Sequence, residues 1–281
     1  MLQFIRHYLL AVQFFTRIPV TGALAAWTGY SPAMLRASAA HFPGIGWLVG
    51  GVAAGVYSLL IALLPPTDFA PLVAAVLSTV ATVLLTGGFH EDGLADVTDG
   101  LGGSYDRDRA LEIMKDSRVG AFGAMALVLA LLGKVALLAL LGSVESALSG
   151  MEEAPDLPLD GWLVAAALFT AHVVSRTLPL LLIRALPHVG DTAVSKSKPL
   201  ADQITLTSLG VAFVWFFSAL ALASYALPAM SLIVACSFSV IALLWMGRLF
   251  SRRLQGFTGD CLGATQQVCE IAFYLGLAIA L

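Results

Sequence analysis

Charge is what this sequence has least of. Only 12% of its 281 residues are Asp, Glu, Lys or Arg, while 59% are hydrophobic; a soluble domain carries about 25% charged residues. A water-facing surface cannot be built from so few charges, which argues against a soluble protein. Cysteine is scarce as well. Cys236, Cys261 and Cys269 follow neither a disulfide framework nor a zinc pattern. There is no excess of positive charge, and the net charge of −3 gives no support to nucleic-acid binding. Internal repeats and a polar extra domain are missing too, so the chain reads as one membrane-embedded unit over residues 1–281.

What is present is a series of long apolar runs. Pro43–Leu64, Phe69–Phe89, Val119–Leu141, Trp162–Ile183, Leu206–Leu222, Met230–Met246 and Thr265–Leu281 each approach or exceed the length that crosses a bilayer, about 20 residues. Small residues such as Gly50-Gly51 and Ala165-Ala166-Ala167 occur in them, as membrane helices require for close packing. The expected fold is all-α: a polytopic helical membrane bundle with about seven spans. The N-terminal apolar stretch loosely imitates a signal peptide, but Arg17 and Pro19 interrupt it. Residues 3–20 are therefore expected to form an interfacial or re-entrant helix.

Orientation follows from the cations. With seven spans and an inner N-terminus, segments 1–42, 90–118, 184–205 and 247–264 face inward. They hold every Lys and Arg except Lys134 and Arg176, which fall within spans. The outer segments 65–68, 142–161 and 223–229 contain no cation but do contain Asp68, Glu145, Glu152, Glu153, Asp156 and Asp160. This is the positive-inside pattern. Loop 142–161 reads as a plain solvated connector.

The segment richest in chemistry is Gly87–Gly103. Asp92, Asp96 and Asp99 stand at i, i+4 and i+7, on one face of a helix. Three carboxylates on one stripe repel each other, and their charge calls for a hard divalent ion such as Mg²⁺, which takes oxygen ligands and keeps part of its shell for water or phosphate. Paired ions of this kind can clamp a transferring phosphoryl group. Beyond the glycines, Tyr105–Met114 reads as a short amphipathic helix with Ser104 or Asp106 as N-cap. Its Asp106-Arg107-Asp108-Arg109 mixture reads as a solvated face with local ion pairs. Lys115, Asp116 and Arg118 follow at the entrance to the next span. Arg118 suits a bidentate phosphate contact, or serves only as a positive-inside anchor; Asp116 is a further candidate metal ligand. Asp260, set among glycines before the last span, is either a ligand or a helix N-cap. The loop with Lys196 and Lys198 suits an anionic substrate or anionic lipid. His172 and Arg176 lie i, i+4 within a span and are functional candidates, although Arg176 is near enough to the inner boundary to snorkel. Lys134 has no partner that the sequence suggests.

These motifs together resemble the cobalamin synthase family, the adenosylcobinamide-GDP ribazoletransferases. The stretches that carry the resemblance are Phe15–Val20, His41-Phe42-Pro43 with Gly44 and Gly46, His90–Gly103, Met114–Gly123, and Thr258-Gly259-Asp260 with Leu262-Gly263-Ala264. Residues 87–123 are the densest part. The resemblance implies transfer of the adenosylcobinamide-phosphate group of adenosylcobinamide-GDP to α-ribazole or α-ribazole 5′-phosphate, with release of GMP. It implies Mg²⁺ as cofactor and the bacterial cytoplasmic (inner) membrane as location. On this resemblance Glu91, Asp92, Asp96 and Asp99 would hold metal, with Asp116 and Asp260 as additional ligands or base candidates. Lys115, Arg118, Arg17, Lys196 and Lys198 would bind substrate, and His90 would orient a carboxylate or assist proton transfer. The expected partners are the two substrates and membrane lipid, with no nucleic acid and with self-association into a homo-oligomer left open. Two rivals stand beside this reading. A CDP-alcohol phosphotransferase would space its aspartates around Ala-Arg, where this chain has His-Glu-Asp-Gly. An ion-coupled transporter would place acids at the bilayer midplane, often in repeated halves.

Overall fold

The computed structural model describes residues 2–149, 161–190 and 203–281. In chain order the helices are α1 (Leu2–Phe15), α2 (Gly22–Thr28), α3 (Pro32–Ser38), a short 3₁₀ turn (Ala39–His41), α4 (Phe42–Leu63), α5 (Ala70–Thr86), α6 (Phe89–Gly103), α7 (Arg107–Ile113), α8 (Ala121–Ser149), α9 (Trp162–Thr177), α10 (Pro179–Ala185), α11 (Leu206–Ala223), α12 (Ala229–Arg253) and α13 (Gly259–Ala280). The only pairing of extended backbone among the described residues is an isolated bridge between His188 and Phe257.

Among the described residues six helical stretches are long and apolar enough to cross a membrane, and a seventh counts if α5 and α6 form one bent pair. Leu84, Leu129, Val214, Ile241 and Leu244 are widely exposed, as expected where lipid rather than water surrounds the helices. With 14 residues, α1 is about 21 Å long, too short to span a core of about 30 Å.

Small residues set the helix spacing. A Cβ on Gly46 would sit 2.5 Å from the His172 carbonyl oxygen, and one on Gly50 would sit 2.8 Å from that of Phe169. These two glycines, one turn apart, therefore let α4 lie directly on α9. Gly276 does the same for α13 against α12, where a Cβ would come within 2.9 Å of Ala235 Cα.

Several boundaries differ from the sequence expectation, each for a local reason. Helix α8 continues to Ser149, so Glu145 belongs to a helix and not to a solvated connector. It is 4% exposed, and its carboxylate accepts the backbone N–H groups of Leu163 (2.7 Å) and Val164 (3.4 Å). Gly161, the N-cap of α9, has no side chain with which to do this. The expected span Trp162–Ile183 is divided at Leu178, because Pro179 has no N–H to continue the helix. Helix α13 starts at Gly259, well before Thr265, because the Thr258 hydroxyl caps it by accepting from Cys261 N–H. Asp260 thus lies in a helix's first turn and not in a loop. Asp106, the second of the two expected caps, caps α7 by accepting from Arg109 N–H at 2.8 Å.

Candidate active site

The site begins at a corner. Gly87 and Gly88 both have φ of 69°, a left-handed conformation that side chains with a Cβ resist. They turn the chain by 88° between α5 and α6. The space beside Gly87, where a Cβ would stand, is filled by the Arg17 guanidinium, and the Arg17 backbone N–H donates to Leu85 O at 2.7 Å. Past the corner, α6 does not span the membrane itself but crosses the first turns of α13 and α8. Gly93 permits the first crossing: a Cβ there would be 2.8 Å from Asp260 O.

The crossing places Asp92 and Asp96 of α6 against Asp260 of α13. Asp96 is half-buried, and its carboxyl is pushed up to about 7. Burial is the main cause, followed by the charges of Asp260, Asp92 and Asp99. A polar recess of about 560 Å³ opens beside these acids, lined by Gln13, Thr16, Arg17, Thr86, Glu91 and Asp92 among others. Among the described residues no group of three or more Asp, Glu, His or Cys side chains is arranged to hold a metal ion. The donor set still fits a hard cation. It consists of carboxylate oxygens whose mutual repulsion is uncompensated, and an ion that keeps water or phosphate in its shell needs only a few of them.

The third acid of the stripe points elsewhere. Asp99 is 8% exposed; its Oδ2 accepts Gly120 N–H at 2.6 Å and its Oδ1 accepts Gly123 N–H at 2.8 Å. It caps α8 from a neighbouring helix and so fixes the start of α8 beside the stripe. The segment just before it carries Lys115, Asp116 and Arg118, all on the outside. Arg118 Nη2 lies 2.5 Å from Asp116 Oδ2 and Arg118 Nε 2.9 Å from Oδ1. The bidentate pair holds Asp116 down to about 2 and separates it from the acids around Asp96. Other inner cations are structural: Arg253 donates to Leu101 O and Ser104 O at the end of α6, and Arg107 to Leu254 O. Arg107–Asp108 and Arg109–Glu112 form the local exposed pairs expected on α7.

Deeper in the bundle is a second charged group. Lys134 Nζ of α8 lies 2.6 Å from Glu270 Oε1 of α13, with the two side chains 3% and 1% exposed. Glu270 also accepts from Tyr274 OH (3.1 Å) and Gln266 Nε2 (2.7 Å). Arg176 Nη1 approaches His172 Nδ1 at 2.8 Å. The same Nη1 donates to the His172 carbonyl oxygen at 3.1 Å. His172 Nδ1 also lies 3.3 Å from Glu270 Oε2.

Comparison with known proteins decides the family. The cobalamin-5-phosphate synthase family matches residues 7–278. The chain is 75% identical to the adenosylcobinamide-GDP ribazoletransferase of Polaromonas sp. (strain JS666 / ATCC BAA-500), over 99% of this chain and 98% of that protein. It is 61% identical to the protein of the same name from Albidiferax ferrireducens, over the whole of both chains. A third relative of that name, from Vibrio cholerae, is 41% identical over 95% of this chain and 91% of its own. The chain belongs to the cobalamin-5-phosphate synthase family. No solved structure matches it.

Within this family member, the structure gathers part of the expected site. Asp92, Asp96 and Asp260 lie within electrostatic reach of one another, and Glu91, Asp92 and Arg17 line the adjoining recess. Asp99 is spent on capping α8, and Asp116 is paired with Arg118 outside the cluster. Lys115 stands exposed on the same outer segment. His90 is buried, stacked on Phe42 at 5.7 Å, with no hydrogen-bond partner for Nε2. Lys196 and Lys198 lie outside the described residues. Arg176 does not snorkel; it is 2% exposed and has Phe42 beneath its guanidinium. Glu270, Gln266 and Gln267 were not singled out from the sequence, although ionisable and amide groups within an apolar span are themselves a signal.

Proposed function

We propose that this family member is an adenosylcobinamide-GDP ribazoletransferase that works at the α6–α13 crossing. The observation that supports this most directly is Asp96, held among Asp92, Asp99 and Asp260 beside a recess that also contains Arg17. An excess of carboxylate next to one guanidinium suits a diphosphate that arrives with a divalent ion. Glu91, Asp92, Asp96 and Asp260 would hold Mg²⁺, which when bound offsets phosphate charge and orients the diphosphate. Arg17 supplies a bidentate contact to a phosphate oxygen. Arg118, on the segment that Asp99 fixes beside the stripe, exchanges its Asp116 partner for a second phosphate oxygen. A ribose hydroxyl of the acceptor bonds to the phosphorus that bears cobinamide, the bond from that phosphorus to the GMP oxygen breaks, and the hydroxyl proton passes to a carboxylate of the recess. The cations on segments 1–42, 90–118 and 247–264 support a cytoplasmic orientation of this face and a bacterial inner-membrane location.

The test is to reconstitute the protein in liposomes with adenosylcobinamide-GDP, α-ribazole and Mg²⁺ and to follow nucleotide release. GMP is expected, with the 5′-phosphorylated acceptor tested in a parallel reaction. CMP release from a CDP-alcohol substrate, or substrate flux without nucleotide cleavage, would overturn the reading.

A further inference from the structure

The buried cluster has no evident reason in stability. Buried ion pairs cost desolvation, and a packed apolar set of similar volume is often as stable or more so. The directions of its hydrogen bonds provide a reason. Ionised Glu270 can only accept, so the Gln266 amide must turn its NH₂ toward it; Gln266 Nε2 donates to Glu270 Oε2 at 2.7 Å and to Ser175 Oγ at 3.0 Å. That choice leaves Gln266 Oε1 facing Gln267. Gln267 in turn uses both of its amide hydrogens, donating to Gln266 Oε1 and to Glu91 Oε1, each at 3.0 Å. The opposite amide orientation would set Gln266 Oε1 against the Glu270 carboxylate and Gln267 Oε1 against that of Glu91. Both amides are thus fixed by the acceptor-only group at the far end. At the near end Glu91 is pinned by one oxygen, while Oε2 is buried without a hydrogen-bond partner. Lys134 ties Glu270 to α8, the helix whose start Asp99 holds beside the recess.

We propose that Glu270, Gln266 and Gln267 form a polarity relay that positions Glu91 at the acidic recess, with Lys134 anchoring the inner end. These are positioning residues that act through Glu91, and the proposal rests on the transferase reading above. The relay explains why two adjacent glutamines face inward in an otherwise apolar part of α13. It also explains why α6 and α13 are joined by side-chain hydrogen bonds as well as by packing.

The experiment uses full-length protein in liposomes and two variants: Gln267→Met, which removes the last donor at nearly constant volume, and Lys134→Met with Glu270→Gln, which neutralises both members of the anchoring pair together. Four quantities are read: kcat for GMP release, KM for adenosylcobinamide-GDP, Mn²⁺ affinity by electron paramagnetic resonance, and melting temperature. Loss of an outer partner of a functional carboxylate is expected to lower kcat and Mn²⁺ affinity by roughly 10–100-fold. KM should change by less than about threefold and melting should be little affected, because the packing is intact. A network that is only structural would lower the melting temperature and leave kcat per folded molecule unchanged. The relay is overturned if folded Gln267→Met retains wild-type kcat and Mn²⁺ affinity, or if the paired variant does so should Gln267→Met fail to fold. If wild-type protein releases no GMP, the transferase reading fails, while the Mn²⁺ comparison still decides the relay.

Discussion

The two charged regions of this molecule are built on opposite principles. In the bundle interior Glu270 of α13 pairs with Lys134 of α8 and accepts from Tyr274 and Gln266 of its own helix, while Arg176 of α9 contacts His172 one turn away and feels the Glu270 charge, so the ionised groups there have opposite charge or hydrogen-bond partners. At the α6–α13 crossing, the charges of Asp92 and Asp260 raise the cost of ionising Asp96, and Arg17 is the cation that lines the adjoining recess with Glu91 and Asp92. A protein can afford unbalanced charge only where a ligand will complete it. The interior is self-sufficient because nothing arrives there, whereas the recess is incomplete because something does. Substitution should therefore have opposite effects on stability in the two places.

The sharpest way to break this comparison is Lys134→Met alone. It leaves Glu270 buried without its cation, which is expected to cost about 3–5 kcal/mol and to appear as a large drop in melting temperature in detergent. A wild-type melting curve for that variant would remove the distinction between the regions. Next in size are Asp92→Asn and Asp96→Asn. GMP release should fall by at least about 100-fold with Mg²⁺ present, yet the metal-free protein should melt no lower than wild type, because like-charge repulsion is relieved. Chelation with EDTA should abolish GMP release in wild type, and added Mg²⁺ should restore it. Asp99→Ala comes third. Loss of the α8 cap is expected to cost about 1–2 kcal/mol, visible by thermal melting.

A smaller effect concerns pH. The Asp96 carboxyl titrates near 7 in the folded, metal-free protein and near 4 in an unfolded chain. The folded state therefore holds a proton between these values that the unfolded state has lost, and metal-free stability should fall as pH rises from about 4 to about 7. A cation needs the ionised form, so Mn²⁺ affinity should weaken by up to about tenfold per unit below pH 7 and level off above it. Asp96→Asn should flatten both profiles. The smallest effect is expected for Asp116→Asn, since solvent screens its exposed pair with Arg118. Melting should be unchanged; a large loss would mean that this segment carries more of the structure than its exposure suggests.

Much of the fold was legible because the bilayer imposes one rule, an apolar helix of fixed length, that a run such as Leu206–Leu222 states directly. The acidic stripe was legible for a similar reason: i, i+4, i+7 spacing sets a face before any tertiary contact exists. Spacing could not tell that Asp99, on that same face, would find the free N–H groups of α8 while Asp96 would find other acids. Nor could it match Lys134 with Glu270, since residues so far apart in the chain meet only when α8 and α13 pack.

Local physics in the chain alone determined the apolar helices and the acid-bearing face of Asp92, Asp96 and Asp99, because hydropathy and helical period act over a few residues. Tertiary structure alone decided which acids share a recess, which caps a helix, and which cations stay buried. Those outcomes depend on where helices cross, and a crossing is settled by packing between segments that the sequence does not place side by side.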